Sequence, residues 1–241
     1  MNTNQNIWVI IPAAGVGKRM DSDTPKQYLT LNDKTVIEHT LDVFDSHDSI
    51  SEIIVAVSNE DEYWPSLNIK LSKPLYKTCG GKERCDSVLN GLRFLEDKAA
   101  ADDWVLVHDA ARPCLRLEDL TLLLETLQEN AIGGILAIPV RDTMKRSIDD
   151  TKLIKETVDR ESLWHALTPQ MFRFGLLKNA LESALMNNEV ITDEASAIEL
   201  AGHHPVLVEG HADNLKITRP EDLVLAAFFI RQIDLEHQEE K

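Results

Sequence analysis

Cysteine is scarce in this chain of 241 residues, and long apolar runs are missing. The three cysteines, Cys79, Cys85 and Cys114, form no Cys-x-x-Cys pair. Their odd number and spacing exclude a disulfide framework and a thiolate zinc site, so a reducing compartment is expected. The apolar run near the N-terminus follows no basic segment and is too short for a signal peptide or a membrane span. We therefore expect a cytoplasmic protein with no membrane partner.

Positive charge is also in short supply. The chain has 25 Lys and Arg residues against 41 Asp and Glu residues, a formal net charge of −16. Nucleic acids and anionic lipids are themselves negative, so a nucleic-acid partner or a membrane-coating role is excluded. The same charge should repel small phosphorylated substrates, unless cations are concentrated locally. The hydrophobic fraction of 43% is too high for a disordered chain.

Strand-like and helix-like segments alternate along the chain. The predicted strands are 7–12, 52–57, 75–78, 104–107, 134–139 and 205–208. The predicted helices are 35–47, 84–95, 117–128, 175–186, 192–200 and 221–233. This alternation predicts an α/β fold: a single Rossmann-like domain over residues 1–241, with a twisted, mostly parallel sheet and helices on both faces.

Ligands of such sheets bind beyond the carboxyl ends of the strands. The strand tips that carry small or polar residues are 12–15, 79–81, 108–110 and 139–141. We expect the functional site where these tips converge.

The alternation breaks at residues 139–164, which contain no long amphipathic pattern. Residues 147–150 (Ser-Ile-Asp-Asp) are typical of a turn between two extended segments. One interpretation is an ordinary surface hairpin. The other is an inserted β-arm that reaches a partner subunit; residues 139–160 carry six basic and five acidic side chains in an otherwise acidic protein.

The loop after the first strand, PAAGVGKRM at 12–20, is rich in small and basic residues. It lacks the first glycine and the hydroxyl residue of a phosphate-binding P-loop, since Pro12 and Arg19 occupy those positions. It also lacks the third glycine of a dinucleotide fingerprint, where Met20 stands. What remains is exposed backbone N–H groups followed by Lys18, Arg19 and Lys26, a combination that suits a polyphosphate.

Six further segments carry a resemblance that covers nearly the whole chain. They are GGKERCDSV at 80–88, VHDAARP at 107–113, PVRDTMKR at 139–146, TVDRESLWHALTPQ at 157–170, ITDEASAIE at 191–199 and EGHADNLKITRPEDL at 209–223. Together with the first loop they resemble the 2-C-methyl-D-erythritol 4-phosphate cytidylyltransferases of the non-mevalonate isoprenoid pathway. These belong to the nucleotidyltransferases that activate sugar and polyol phosphates.

The resemblance implies that CMP is transferred from CTP to methylerythritol phosphate, with release of pyrophosphate. A phosphate monoester is largely dianionic near pH 7, so the nucleophile needs no general base. Fixed cations and Mg²⁺ (or another divalent cation) should instead stabilise the transition state. By resemblance, Arg19 and Lys26 are the catalytic cations at the α-phosphate. The implied CTP-binding residues are Pro12, Ala13, Ala14, Gly15, Gly17, Lys18, Gly81 and Ser87.

The alcohol phosphate is assigned in the same way. The implied substrate-binding residues are Asp109, Ala110, Thr143, Arg160, Thr192 and Lys216. No residue is expected to ligate the metal directly, and Asp109 would reach it through water. Thr143 and Arg160 lie in the arm, so the resemblance also implies a homodimer in which each arm completes the neighbouring site.

Several residues keep a structural alternative. Ser87 could simply bond the backbone in the first turn of a helix, Thr192 could be a plain helix cap, and Arg112 could order its loop or pair with an acidic neighbour. We expect His108 to be a buried, satisfied histidine. Asp213 could orient Lys216. Three glutamates are expected to be solvated or capping: Glu194, Glu199 and Glu221.

Two other functions remain open. One is a cytidylyltransferase for another polyol phosphate, such as ribitol 5-phosphate. The other is a non-catalytic nucleotide-binding regulator, which the joint presence of Arg19 and Lys26 disfavours.

Overall fold

Eleven strands and six α-helices lie along the part of the chain that the computed structural model describes, residues 5–15, Met20 and residues 24–239. The strands are β1 (Ile7–Pro12), β2 (Thr30–Leu31), β3 (Lys34–Thr35), β4 (Glu52–Val57), β5 (Leu75–Cys79), β6 (Trp104–Val107), β7 (Gly133–Pro139), β8 (Met144–Ser147), β9 (Ile154–Val158), β10 (Trp164–Arg173) and β11 (Val206–Glu209). The helices are α1 (Val36–Ser46), α2 (Arg84–Phe94), α3 (Leu117–Leu127), α4 (Phe174–Met186), α5 (Glu194–Leu200) and α6 (Pro220–Glu239).

Seven strands form one sheet in the order β11-β7-β10-β6-β1-β4-β5. β1 pairs in parallel with both β4 and β6, β4 with β5, and β7 with β11. Only β10 runs antiparallel to its neighbours, β6 and β7, among the strands of this sheet. The predicted mostly parallel sheet is therefore confirmed, and the tips of β1, β5 and β6 point to one edge.

The sheet buries apolar side chains on both faces, which explains the near-continuous hydrophobic strands. In β1, Val9 and Ile11 belong to the cluster under α1 and α3, whereas Trp8 and Ile10 belong to the cluster under α2, α4 and α5. Helices thus cover both faces, as the alternation of elements predicts.

The longest helix, α6, packs against a third cluster beside the sheet. Ala226 and Ile230 are buried there against Met20, Leu31 and Cys114. No helix in the described part of the chain has both the length and the apolar character that a bilayer crossing requires.

Most predicted elements are confirmed within one or two residues, but the central strand β10 was missed. Its segment, WHALTPQMFR, contains a proline and breaks alternation, so it carries no clear strand pattern. The pairing of β10 with β7 shifts register between Ala166 and Gln170. Because β10 lies between β7 and β6, it separates the tip of β7 from the tip of β6.

The predicted arm contains the hairpin β8–β9. The two strands pair antiparallel with each other in a separate two-stranded sheet, with the turn at residues 148–153. All side chains from residue 141 to residue 157 are exposed. The extended shape of the arm is confirmed, while its role in dimerisation stays a prediction.

Candidate active site

The tip of β1 is held open by a buried glutamine that follows Lys26. Gln27, in the 3-10 turn Lys26–Tyr28, is 3% exposed. Its Nε2 donates to the carbonyl oxygens of Ala13 (2.7 Å) and Gly15 (3.2 Å). These two bonds satisfy the carbonyl oxygens and fix the course of the backbone. Because the side chains of residues 13–15 are short, a ligand has room beside that backbone.

The tip of β5 is closely packed around two glycines. Gly80 N–H donates to Val57 O, and a Cβ atom at Gly81 would lie 2.1 Å from the Asp86 Cβ, so only glycine fits there. Ser87 Oγ accepts from Gly81 N–H at 2.9 Å and donates to Glu83 O at 3.3 Å. The hydroxyl therefore shapes this loop, the structural role left open for Ser87, while it also lines the cleft.

The tip of β6 is built around His108 and Asp109. His108 Nε2 lies 3.0 Å from Arg112 O and its Nδ1 lies 3.0 Å from Thr168 Oγ1, which in turn accepts from Asp109 N–H at 3.2 Å. Since a carbonyl oxygen only accepts, Nε2 carries the proton and Nδ1 accepts from the Thr168 hydroxyl. Burial lowers the pKa of His108 from 6.5 to about 4. The expectation of a buried, satisfied histidine is confirmed.

Asp109 carries the densest set of charge contacts in the cleft. Arg84 Nε lies 2.8 Å from Oδ1, and Lys216 Nζ lies 2.8 Å from Oδ2. Arg112 Nε lies 3.5 Å from Oδ2. Burial acts to raise the pKa of Asp109, but these three cations outweigh it and hold the pKa well below its usual range. Asp109 is therefore ionised at neutral pH.

The loop after β11 brings Lys216 to this carboxylate. Arg112 Nη1 donates to Asn214 O at 2.7 Å, and Ile217 N–H donates to Ala111 O at 2.8 Å. Lys26 Nζ donates to Ile217 O at 3.0 Å, next to Lys216. Arg112 thus holds the loop after β11 and also approaches Asp109, so its predicted pairing with an acidic neighbour is confirmed.

The prediction that Asp213 orients Lys216 was wrong. The Asp213 carboxylate pairs instead with Arg116, whose Nε and Nη2 lie 2.8 Å and 2.7 Å from Oδ2. Arg116 precedes α3 and also pairs with Glu236 of α6. Asp213 therefore fixes the loop to two helices rather than contacting the lysine.

Together the tips enclose a cavity of about 260 Å³ at the carboxyl edge of the sheet. Its lining residues are Pro12, Ala13, Ala14, Gly15, Lys26, Gln27, Gly81, Lys82, Glu83, Arg84, Ser87, Asp109, Ala110, Ala111 and Lys216. Four of them are cations and two are carboxylates, so this cleft of the acidic protein is locally positive and suited to anions.

Comparison with known proteins identifies the family. The model of the family described as 2-C-methyl-D-erythritol 4-phosphate cytidylyltransferase matches residues 7–232. The chain belongs to this cytidylyltransferase family. The curated enzyme of that name from Pseudomonas paraeruginosa is 57% identical over 218 residues, which cover 90% of this chain and 93% of the relative.

Solved structures of cytidylyltransferases agree with the fold. A crystal structure of 4-diphosphocytidyl-2C-methyl-D-erythritol synthase is 40% identical and superposes with a TM-score of 0.81, covering 94% of this chain and all of the other. The Francisella tularensis 2-C-methyl-D-erythritol 4-phosphate cytidylyltransferase is 38% identical with a TM-score of 0.80, over 93% of this chain and all of the other.

The structure places most of the residues predicted for a cytidylyltransferase site in the one cleft. These are Pro12, Ala13, Ala14, Gly15, Lys26, Gly81, Ser87, Asp109, Ala110 and Lys216. Gly17, Lys18 and Arg19 lie outside the described residues. Residues 139–141, the fourth predicted tip, are absent from the described lining of the cavity, because β10 separates β7 from β6.

Three predicted substrate residues are not in the described lining of the cleft. Thr143 and Arg160 lie on the exposed arm, where Arg160 Nη1 donates to the carbonyl oxygen of Arg141. Thr192 is exposed, and it is not a helix cap, because Asp193 is the N-cap residue of α5. The capping role suggested for Thr192 was therefore wrong by one residue.

Sequence reasoning missed Arg84, Gln27, Thr168 and Glu194 as residues that build this site. Arg84 follows the paired glycines at a helix start, a position that could have indicated an anion-facing cation. The expectation that Glu194 is solvated or capping was wrong. Glu194 is fully buried, and its carboxylate pairs with Arg84. No local pattern announces that contact, since 110 residues separate the partners. Glu199 and Glu221 are exposed as expected.

Proposed function

We propose that this protein transfers CMP from CTP to 2-C-methyl-D-erythritol 4-phosphate. The products are 4-diphosphocytidyl-2-C-methyl-D-erythritol and pyrophosphate. The observation that carries the proposal is the cleft itself, in which Lys26 and Lys216 meet Asp109 beside two small-residue loops, in a chain of the cytidylyltransferase family.

The reaction is an in-line displacement at phosphorus. A phosphate oxygen of the alcohol substrate attacks the α-phosphorus of CTP, the bond from that phosphorus to the bridging oxygen of the β-phosphate breaks, and pyrophosphate leaves. The attacking dianion needs no proton removed near pH 7. This agrees with His108, whose two ring nitrogens are both engaged and which is fully buried.

The cleft residues of this chain divide the two substrates between them. We assign CTP to the backbone of residues 12–15 and to Gly81 and Ser87, with Lys26 at the α-phosphate. We assign the alcohol phosphate to Lys216, and the hydroxyl groups of the alcohol to Asp109, whose carboxylate accepts hydrogen bonds. Arg19, Lys18 and Gly17 keep their predicted places at the triphosphate. One fixed hydrogen-bond donor aimed at developing negative charge contributes about 10²–10³ in rate.

A divalent cation, Mg²⁺ by preference, completes the proposed site. The described residues contain no group of three or more His, Cys, Asp and Glu side chains able to hold a metal. Both oxygens of Asp109 already contact cations, so this carboxylate fits a hydrated ion better than direct ligation. When bound to phosphate oxygens, the ion would supply charge neutralisation.

The proposal extends to a homodimer formed through the arm. Met144, Ile148, Leu153 and Ile154 are large apolar side chains that the arm leaves at least one-third exposed. A second copy of the chain would cover such residues. In that arrangement Thr143 and Arg160 reach the alcohol phosphate in the neighbouring cleft.

Pyrophosphate release tests the function directly. The protein is incubated with CTP, MgCl₂ and either methylerythritol phosphate or ribitol 5-phosphate. Release with methylerythritol phosphate, at a much higher kcat/KM than with ribitol 5-phosphate, is the expected result. A reversed preference would assign the other alcohol, and CTP binding without turnover on either alcohol would indicate a regulator.

A further inference from the structure

Glu194 is a charged residue with no exposed surface, next to a cleft for anions. It is the first residue of α5 and is 0% exposed. It is not needed as the cap, because the Asp193 side chain accepts from Ser196 N–H at 3.0 Å. A buried carboxylate costs several kcal/mol in lost hydration unless it is well paired. Its burial at this position calls for a reason beyond starting a helix.

The partner of Glu194 is Arg84, the cation that holds Asp109. Arg84 Nη1 and Nη2 donate to the two Glu194 carboxylate oxygens at 2.6 Å and 2.9 Å. The third nitrogen of the same guanidinium, Nε, donates to Asp109 Oδ1 at 2.8 Å. A planar guanidinium fixed by two parallel bonds cannot turn without breaking both. Glu194 therefore decides where Arg84 presents its Nε–H group.

The start of α5 is itself held rigidly against the sheet. Gln170 of β10 donates through Nε2 to Asp193 Oδ2 at 2.8 Å and accepts at Oε1 from Ala195 N–H at 2.9 Å. Glu194 lies between these two anchored residues. The position of the Asp109 carboxylate is thus fixed relative to β10 through the contacts of Glu194 and Arg84.

An arginine in this cleft would otherwise bind phosphate. Arg84 lines the cavity together with Lys26 and Lys216, and a guanidinium fork matches a phosphate as well as it matches a carboxylate. Two of its five N–H donors are instead bonded to Glu194 and a third to Asp109, so these three are withheld from the anionic substrates and from pyrophosphate. The arrangement favours orientation of Asp109 over an additional phosphate contact.

We propose that Glu194 is a positioning residue, which fixes Arg84 and, through it, the Asp109 carboxylate in the orientation that receives the hydroxyl groups of the alcohol substrate. The inference rests on the proposed function for the identity of that alcohol. Glu194 itself touches no substrate; its effect passes entirely through Arg84.

The first variant is Glu194→Gln, which keeps the size of the side chain and removes its charge. The KM for the alcohol phosphate should rise about tenfold, as for loss of one well-placed bond to a charged group, with KM for CTP changed less than about twofold. Glu182→Gln is the matched control. Glu182 of α4 lies near Arg93, which belongs to the same helix as Arg84, and it is outside the cleft lining. It should leave both KM values unchanged.

A double substitution separates positioning from stability. Glu194→Gln/Arg84→Gln leaves no unpaired buried charge, so this protein should fold even where the single Glu194 variant does not. If Glu194 acts through Arg84, the KM of the double variant for the alcohol equals that of Arg84→Gln alone. Circular dichroism and thermal unfolding confirm that each variant is folded before its kinetics are compared.

Two results would overturn the inference. One is a Glu194→Gln protein whose KM values rise equally for CTP and the alcohol phosphate; the other is a double variant in which the two single effects multiply. All assays use the polyol phosphate that the unchanged protein consumes. If the unchanged protein consumes a different polyol phosphate, the proposed function is overturned. The role of Glu194 is decided separately, by comparing the KM values of its variants with those of the unchanged protein.

Discussion

Lys216 and Asp109 form a 2.8 Å ion pair that joins the loop after β11 to the tip of β6. The lysine side chain is 35% exposed and the carboxylate 9% exposed, so the cation lies at the mouth of the cleft and the anion at its wall. A substrate phosphate can approach the exposed side of Lys216 without displacing Asp109. Under the proposed function, the pair places one group for a phosphate beside one group for hydroxyls.

Replacement of Lys216 should weaken binding of the alcohol phosphate specifically. We expect Lys216→Ala to raise the KM for methylerythritol phosphate about 10- to 100-fold, since a charge-assisted contact contributes about 1.5–3 kcal/mol. The KM for CTP should change less than about twofold. Lys178→Ala is the control, because that lysine pairs with Glu96 and Glu182 away from the cleft. Steady-state kinetics with each substrate varied would contradict the assignment if both KM values rose together.

Replacement of Gln27 should weaken binding of CTP rather than binding of the alcohol phosphate. Gln27→Met keeps the volume of the side chain and removes the donors to Ala13 O and Gly15 O, at about 1 kcal/mol for each bond. A looser first loop should raise the KM for CTP about five- to tenfold. The exposed Gln128, changed to Met in the same way, is the control for the substitution itself. A lower melting temperature with an unchanged KM for CTP would limit Gln27 to a structural role.

His108 should make stability depend on pH. Burial lowers its pKa from 6.5 to about 4, so between these values the unfolded chain binds a proton that the folded protein does not. Its contribution to the free energy of unfolding is complete above pH 6.5 and is lost as the pH falls towards 4, by about 3 kcal/mol in total.

His108→Gln removes the titrating ring and keeps a side chain able to donate to Arg112 O. Its stability should fall less steeply over this pH range than that of the unchanged protein, although it starts from a lower value. Urea denaturation at pH 7, 6, 5 and 4 measures the difference. Parallel curves for the two proteins would show that His108 does not titrate in this way.

Mixed dimers should reveal a shared site. Lys26→Ala and Arg160→Ala should each be nearly inactive alone. In a heterodimer, one cleft combines an intact Lys26 with an arm that carries an intact Arg160, so that an equal mixture should recover about a quarter of full activity. No recovery after subunit exchange, confirmed by mass spectrometry of tagged copies, would place Arg160 in the cleft of its own chain.

Much of the fold follows from local pattern. The mainly apolar runs at 7–12, 52–57 and 104–107 are strands, as expected for short segments that a parallel sheet buries on both faces. Small or polar residues stand at the strand tips 12–15, 79–81 and 108–110, and a parallel sheet places such tips at one edge. Strand β10 was not predictable in this way, since its irregular central register is stabilised by two neighbouring strands rather than by its own sequence.

The candidate chemistry can be read from the amino-acid sequence: the small-residue loops, the cations Lys26 and Lys216, the carboxylate of Asp109 and the family motifs that contain them. Which charges meet depends on the folded chain. Asp213 pairs with Arg116 and not with Lys216, and Glu194 pairs with Arg84. Charge pairing depends on distances of a few ångströms between residues far apart in the chain, and periodicity and spacing contain no information on such distances.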